Sequence, residues 1–535
     1  MMTRHSWPLL GLFVLLAAAP ASGQGAWKTF EHKETGIRLR RPSAFDATPL
    51  QPTEKVIIAK MAREKPLRAN RRDRRTPEAF QIFVMPDPTT GQDEKAPITS
   101  YDDIVERQNR IHTIKDLLAS RFRGWSAVKA EGKGLGEDEE EYDLLVNGKR
   151  GARIGYLYKR KVPGYTWGVV GFSDEQVSDV FARHFRKIGQ SIERPEGYDR
   201  VKDDSDDFYA NKDFRDVPFR VAARQRMVKG WKAHDTENFF VLYDTDNFRL
   251  VNKIATDLEV IRAHYEEMFP PVGEIEAVSV VRICENAQEY ARYGGPAGSA
   301  GYWNFVAKEL VLFDMSKMVR QGKDGREIRG KRSDSYITLY HEAFHQYIFY
   351  ALGELSPDYW FNEGNADYFS GTTVYSESKR VKGIEENPWR IPVIARTLGG
   401  KGQISLNDLV TAKRQQYYDP RRVGLMYAYG WSLCFFLHQV APEIEEKEGV
   451  VEQKWPEIVS RYYDTLKAAR EKHVVPLGPN TPMQDRQVAE ELARSEANRA
   501  AFEGVDQKKL EAVWVAWLEE LTKDERRKIE REKKD

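Results

Sequence analysis

The chain has 535 residues, a formal net charge of +1 and 31% charged residues. That length has room for two or three domains with sizeable cores, and the balanced charge excludes net charge as a pointer to any partner. The two cysteines, Cys284 and Cys434, lie far apart, one ending a strand-like run and the other on an apolar helix. They read as buried free thiols, and a disulfide has no positive support.

In chain order, Arg4 and His5 precede an apolar run from Trp7 to Ala19, and Ala21-Ser22-Gly23 then supplies the small residues a signal peptidase reads. The run is too short for a comfortable membrane span, so residues 1–23 are expected to be a cleaved secretory signal. No cysteine follows the run, which argues against a lipoprotein, and no second stretch is long and apolar enough to span a bilayer. The expected location is secreted or periplasmic.

Residues 24–192 read as a first domain. Gly36 to Arg40 and Ala79 to Met85 alternate like half-buried strands. Ser100 is expected to open a helix with Ile104, Ile111, Ile114, Leu118 and Phe122 on one side. Strand patterns return at Ala152 to Arg160 and Tyr165 to Phe172. Ser173-x-x-Gln176 has the form of a capping box before a helix carrying Val177, Phe181, Phe185, Ile188 and Ile192. Strands flanked by two helices predict an α+β sandwich, and the order is similar to a PsbP-like domain. His32, His112 and His184 are isolated, and this domain shows no catalytic constellation; binding or targeting is its expected role. The basic run Lys60 to Arg75 lacks interleaved aromatics, so it reads as a solvated loop rather than a nucleic-acid surface. The acidic run Glu137 to Glu141 reads as a solvated turn.

Residues 193–227 are polar, include Pro195, Gly197 and an Asp cluster at 203–207, and read as a linker or partly wrapped arm. The second domain is expected over 228–521. Phe239 to Tyr243 reads as a strand; Asp246 then caps a helix with Leu250, Ile254, Leu258, Ile261 and Tyr265 on one side, stopped at Pro270-Pro271. Val278 to Cys284 and Lys308 to Asp314 are further strands, and the pattern from Asn407 onward is mostly helical. Residues 522–535 are almost all charged and are expected to fray. There are no internal repeats.

The chemistry concentrates at His341-Glu342-Ala343-Phe344-His345 and Trp360-Phe361-Asn362-Glu363-Gly364-Asn365-Ala366-Asp367. Asp334 to Leu352 reads as a helix, with Ser333 or Asp334 as N-cap and Gly353 just past its end. Residues four apart share a helix face, so His341 and His345 can offer two imidazoles to one metal. Glu363 lies 18 positions beyond His345, room for a turn and a second helix, and supplies a third, anionic ligand. Three protein ligands leave one zinc position open, the pattern of a catalytic site. Glu342 is placed to act as general base. Asp367, four residues after Glu363, can accept the free N–H of a ligand histidine.

These segments resemble the gluzincin metallopeptidases, the thermolysin-like branch of the zincins, and within them the bacterial peptidase MA-like group of secreted proteins. The resemblance implies a small sheet above an active-site helix with a helical lobe below. It implies one zinc on His341, His345 and Glu363, with Glu342 as base and acid and Asp367 as orienting partner. Ile348 stands where a metzincin needs Gly. Related zinc aminopeptidases carry a Tyr three residues before a Gly that supports the oxyanion; Tyr427 has that offset from Gly430, while Tyr429 is the rival packing aromatic. The stretch Gly294 to Trp303 lacks the acidic anchor of their amino-terminus-binding loop, so aminopeptidase specificity is not supported. In this fold the strand at Lys308 to Asp314 is expected to form the cleft's edge, where a peptide could pair.

The expected function is a secreted or periplasmic zinc peptidase acting on peptide or protein substrates, with no nucleic-acid partner. Two rivals stand beside it: a non-enzymatic envelope scaffold with a zincin-like domain, and a zinc amidase cutting a non-protein amide such as a cell-wall link.

Overall fold

The chain is α+β, and its described strands form one seven-stranded sheet, one five-stranded sheet and three two-stranded ones. The structure, a computed structural model, describes residues 27–532 except 33–35, 55, 64–78, 88–109, 123, 131–134, 147–152, 173–178, 195–207, 210–211, 213, 322–326, 376–377, 449–453 and 479–480. The expected signal run and the Ser173-x-x-Gln176 box fall outside these residues.

The first domain opens with a β1–β2 hairpin (Trp27–Glu31, Arg38–Pro42). An antiparallel seven-stranded sheet follows, in the order β3-β4-β5-β9-β8-β7-β6. Its strands are β3 Phe45–Thr48, β4 Ile57–Arg63, β5 Ala79–Pro86, β6 Trp125–Lys129, β7 Glu139–Val146, β8 Arg153–Val162 and β9 Tyr165–Phe172. Helices α1 (Ile114–Arg121) and α2 (Asp179–Gln190) cover its two faces. Successive strand residues point to opposite faces, so Tyr156, Tyr158 and Val169 pack with Phe185 and Ile188 of α2, while Leu157 and Val170 pack with Leu117 and Leu118 of α1.

Ile114 and Leu118 lie on α1, whose N-cap Thr113 closes a capping box with Asp116, and Ile111 is buried just before it; the expected start at Ser100 lies outside the described residues. One expectation is corrected here. The acidic run is no free turn: from Glu139 it is β7, and Glu141, only 2% exposed, is paired with Arg186 of α2. A carboxylate buried this deeply needs such a partner.

Part of the segment read as a linker packs against the second sheet. Tyr209 is buried and donates to Asp235 Oδ1 at 2.7 Å. Arg220 of α3 (Val217–Gln225) is fully buried and bonds Asp235 Oδ1 at 2.9 Å and the Phe239 carbonyl at 3.1 Å.

The second sheet has the order β10-β11-β12-β14-β13: Lys232–Asp235, Phe239–Tyr243, Ser279–Cys284, Glu309–Phe313 and Gly301–Asn304. Strands β11, β12 and β14 run parallel, and β13 pairs antiparallel with β14. The cleft's edge strand is therefore β13, not the Lys308–Asp314 strand, which pairs on both sides. Val241, Ile283 and Leu310 face the main core with α4 (Phe248–Met268) and α6 (Arg332–Ala351); Phe240, Val280 and Val311 face a smaller one with α5 (Ala287–Tyr293). The cap of α4 is Asn247, whose Oδ1 accepts from the Leu250 N–H at 3.3 Å; Asp246 instead pairs with Lys317. Gln51 of the first domain donates to the Tyr293 carbonyl at 2.7 Å.

Beyond α7 (Tyr359–Phe369) and the β15–β16 hairpin (Thr372–Tyr375, Arg380–Ile384), the described chain is helical. Here lie α8 (Ile391–Thr397), α9 (Leu406–Val410), α10 (Arg414–Tyr417) and α11 (Val423–Phe435), then α12 to α16 ending at Glu532. The charged tail does not fray at residue 522: Thr522 is fully buried and Lys523–Glu532 is a helix in contact with α8. Cys284 and Cys434 are both buried and free. No described helix is long and apolar enough to cross a membrane.

Candidate metal centre

Helix α6 begins two residues earlier than the sequence reading places it. Its N-cap is Lys331, and Asp334 sits three residues in, accepting the Lys331 N–H at 3.0 Å. It ends at Leu352, followed by Gly353 at φ +58°, a left-handed position suited to glycine. Leu339, Phe344 and Ile348 bury its inner face, which leaves His341, Glu342 and His345 on the cleft side.

The three expected ligand atoms converge. His341 Nε2 and His345 Nε2 are 3.1 Å apart, and Glu363 Oε2 lies 3.3 and 3.2 Å from them. Two ligands about 2.0–2.1 Å from a tetrahedral zinc sit roughly 3.3 Å apart, so this triangle has the size zinc requires. Each imidazole is oriented from behind: His341 Nδ1 lies 3.0 Å from Asp367 Oδ1, and His345 Nδ1 lies 3.0 Å from Asn362 Oδ1. Those partners accept, so both Nδ1 atoms donate outward and both Nε2 atoms are turned inward. Glu363 Oε2 is buried and meets both imidazoles at ion-pair distance. The buried cluster calls for positive charge at its centre, either protons on the imidazoles or a metal cation that displaces them, and the donor set of two imidazoles and one carboxylate fits zinc.

The electrostatics agree. Burial alone would lower the His341 pKa, but the Asp367 charge and the bonds to Asp367 and Glu363 push it up to about 10. His345 is likewise raised against burial, chiefly by Glu363. Burial favours the neutral form of Glu363, yet the two imidazoles hold it well below the usual carboxylate range. The trio strongly favours positive charge at its centre.

Glu342 Oε2 accepts the Trp303 backbone N–H of edge strand β13 at 2.8 Å. Burial raises its pKa, and the two histidines oppose the rise. A carboxylate made more basic in this way suits proton transfer.

Helices α7 and α11 cross where Gly364 meets Gly430. A Cβ on Gly364 would lie 2.6 Å from Cys434 Sγ and 2.7 Å from the Gly430 carbonyl. That close crossing brings the Tyr427 ring centroid to 6.0 Å from that of His341. Its phenol makes no hydrogen bond among the described residues, and burial, then nearby Glu363 and Glu342, keep it protonated. Tyr429 is fully buried elsewhere, 3.3 Å from Thr397 Oγ1 and edge-on to Trp514.

Two residues at the site escape sequence reasoning. Arg390 clamps Asp367 with two bonds, Nε to Oδ2 at 2.7 Å and Nη2 to Oδ1 at 2.9 Å, and its guanidinium lies 4.9 Å from the Tyr427 ring centroid. Tyr418 donates to Glu363 Oε1, and burial plus the Glu363 charge raise its pKa. Arg390 is 23 residues from Asp367 and Tyr418 is 55 from Glu363, and neither carries a motif.

No family model matches the chain, and no curated protein matches it. Among solved structures, the chain is similar to the solution structure of cyanobacterial PsbP (CyanoP) from Synechocystis sp., at 13% identity, over 34% of this chain and 99% of that one, with a TM-score of 0.21. A likeness of this size carries no argument about activity.

Proposed function

We propose that the chain is an exported zinc-dependent peptidase of gluzincin type. The observation that carries this reading is the triangle of His341 Nε2, His345 Nε2 and Glu363 Oε2, with 3.1–3.3 Å edges. Zinc held there would supply Lewis acidity to the scissile carbonyl and to the attacking water. Glu342 takes the water's proton on its carboxylate and delivers it to the leaving amine. The Tyr427 phenol donates to the oxyanion as charge develops. Asp367, clamped by Arg390, and Asn362 keep the two imidazoles in one tautomer and one orientation. The outer edge of β13 offers an extended peptide a strand to pair with, next to Glu342. Export rests on the Trp7 to Ala19 run and Ala21-Ser22-Gly23.

Glu342→Gln tests the reading against a scaffold, because it keeps the shape and removes the base. The variant should keep its fold and its zinc and lose about a hundred- to ten-thousandfold of its hydrolysis of a peptide pool. Wild type that binds zinc and cuts neither peptide nor protein pools would sink the peptidase reading.

A further inference from the structure

We propose that Tyr418 is a positioning residue that holds Glu363 as a one-oxygen metal ligand; this deepens the zinc reading above and rests on it. The two carboxylate oxygens of Glu363 are in different environments. Oε2 faces both histidine Nε2 atoms, while Oε1 accepts the Tyr418 hydroxyl. The side chain has only 5% exposure, so no bulk water competes for Oε1.

The hydroxyl is placed by the fold rather than by the carboxylate. Tyr418 is the C-cap of α10, its N–H bonded to the Arg414 carbonyl at 3.0 Å. Its ring packs edge-on against Tyr359 and Tyr417, with centroids 5.3 and 5.5 Å away. A carboxylate free to turn would present both oxygens to the cation and occupy a position that substrate or water must use. A donor on Oε1 prevents that turn. It also draws electron density from the ligand, which leaves a bound cation the stronger Lewis acid.

Tyr418→Phe deletes one oxygen and keeps both ring contacts. The experiment uses the full-length chain loaded with Co2+, whose visible bands weaken as coordination number rises, alongside zinc content, melting temperature and steady-state kinetics with a cleaved peptide. We expect one metal per chain in both proteins, an unchanged melting profile and weaker Co2+ bands in the variant. We also expect kcat to fall roughly 10- to 100-fold at nearly constant KM, the usual effect of removing a ligand's orienting partner. Tyr418→His, which retains an N–H donor, should recover part of the band intensity, and it serves as the readout if the Phe variant fails to fold. Unchanged Co2+ bands in Tyr418→Phe overturn the inference even if activity falls, since Tyr418 would then act on substrate or packing. Absence of metal from wild type is a different failure: it removes the zinc reading itself.

Discussion

Asp367→Asn separates two jobs that one side chain performs. Asp367 is 3% exposed, accepts from His341 Nδ1 at 3.0 Å, and takes two bonds from Arg390, itself 20% exposed. The substitution removes the Asp367 charge that faces Arg390 and turns an amide N–H₂ toward its donors. Breaking a buried pair from one side typically costs 3–5 kcal/mol. Arg390 keeps some water, so we expect the low end, about 3 kcal/mol, on the order of a hundredfold in the folding constant. His341 also loses the acceptor that fixes its tautomer, which should weaken zinc binding about 10- to 100-fold. Arg390→Met added to Asp367→Asn removes the stranded cation, so most of the stability should return while zinc affinity stays low. The assays are urea unfolding of chelator-treated protein by tryptophan fluorescence and zinc competition with a chromophoric chelator. Burial acts to raise the Asp367 pKa, but Arg390 and His341 together hold it below the usual carboxylate range. Its contribution is therefore full above the unfolded value of about 4 and is lost as pH falls through the lower folded value, so the gap between wild type and variant should close in acid. A double variant with wild-type zinc affinity would refute the orienting role of Asp367. A single variant as stable as wild type would refute the stranded-cation argument.

Purified protein should hold about one zinc per chain, and His341→Ala, His345→Ala and Glu363→Ala should each lose most of it; full retention in Glu363→Ala would remove that residue from the ligand set. Tyr427→Phe should lower kcat about a hundred- to a thousandfold with KM and zinc content unchanged, whereas Tyr429→Phe should not; a loss confined to Tyr429 would move the oxyanion donor. Asp244 sits where burial, then the neighbouring Glu289, raise its pKa. A carboxyl raised in the folded state stays protonated there while the unfolded chain ionises, so stability falls as pH rises from about 4 toward its folded pKa. Asp244→Asn should flatten that decline in pH-dependent melting curves, and an unchanged slope would remove Asp244 as its source.

Local periodicity made part of this protein legible from its residues alone. His341 and His345 share a face because they are one helical turn apart, and Glu363 and Asp367 do so for the same reason, so the residues that converge at the candidate site could be named from spacing. Hydrophobic patterning located β2, β5, β8, β9, β11, β12 and β14 within a few residues, and the spacing of Leu250, Ile254, Leu258, Ile261 and Tyr265 located α4. Spacing could not choose between neighbouring polar residues for a cap: Asp246 and Asn247 look equivalent until the backbone turns one of them toward Leu250. It also could not order the strands. Glu309–Phe313 and Gly301–Asn304 are both plausible edges, and only the pairing with β12 puts the first inside the sheet. Glu141, Arg390 and Tyr418 depend on tertiary structure most of all. Each is a polar residue with no periodic neighbour, and each acquires its partner, Arg186, Asp367 or Glu363, only when segments 45, 23 and 55 residues apart pack together. A helix repeats its geometry every few residues and so marks its own faces, whereas a hydrogen bond closed across a core leaves no trace along the chain.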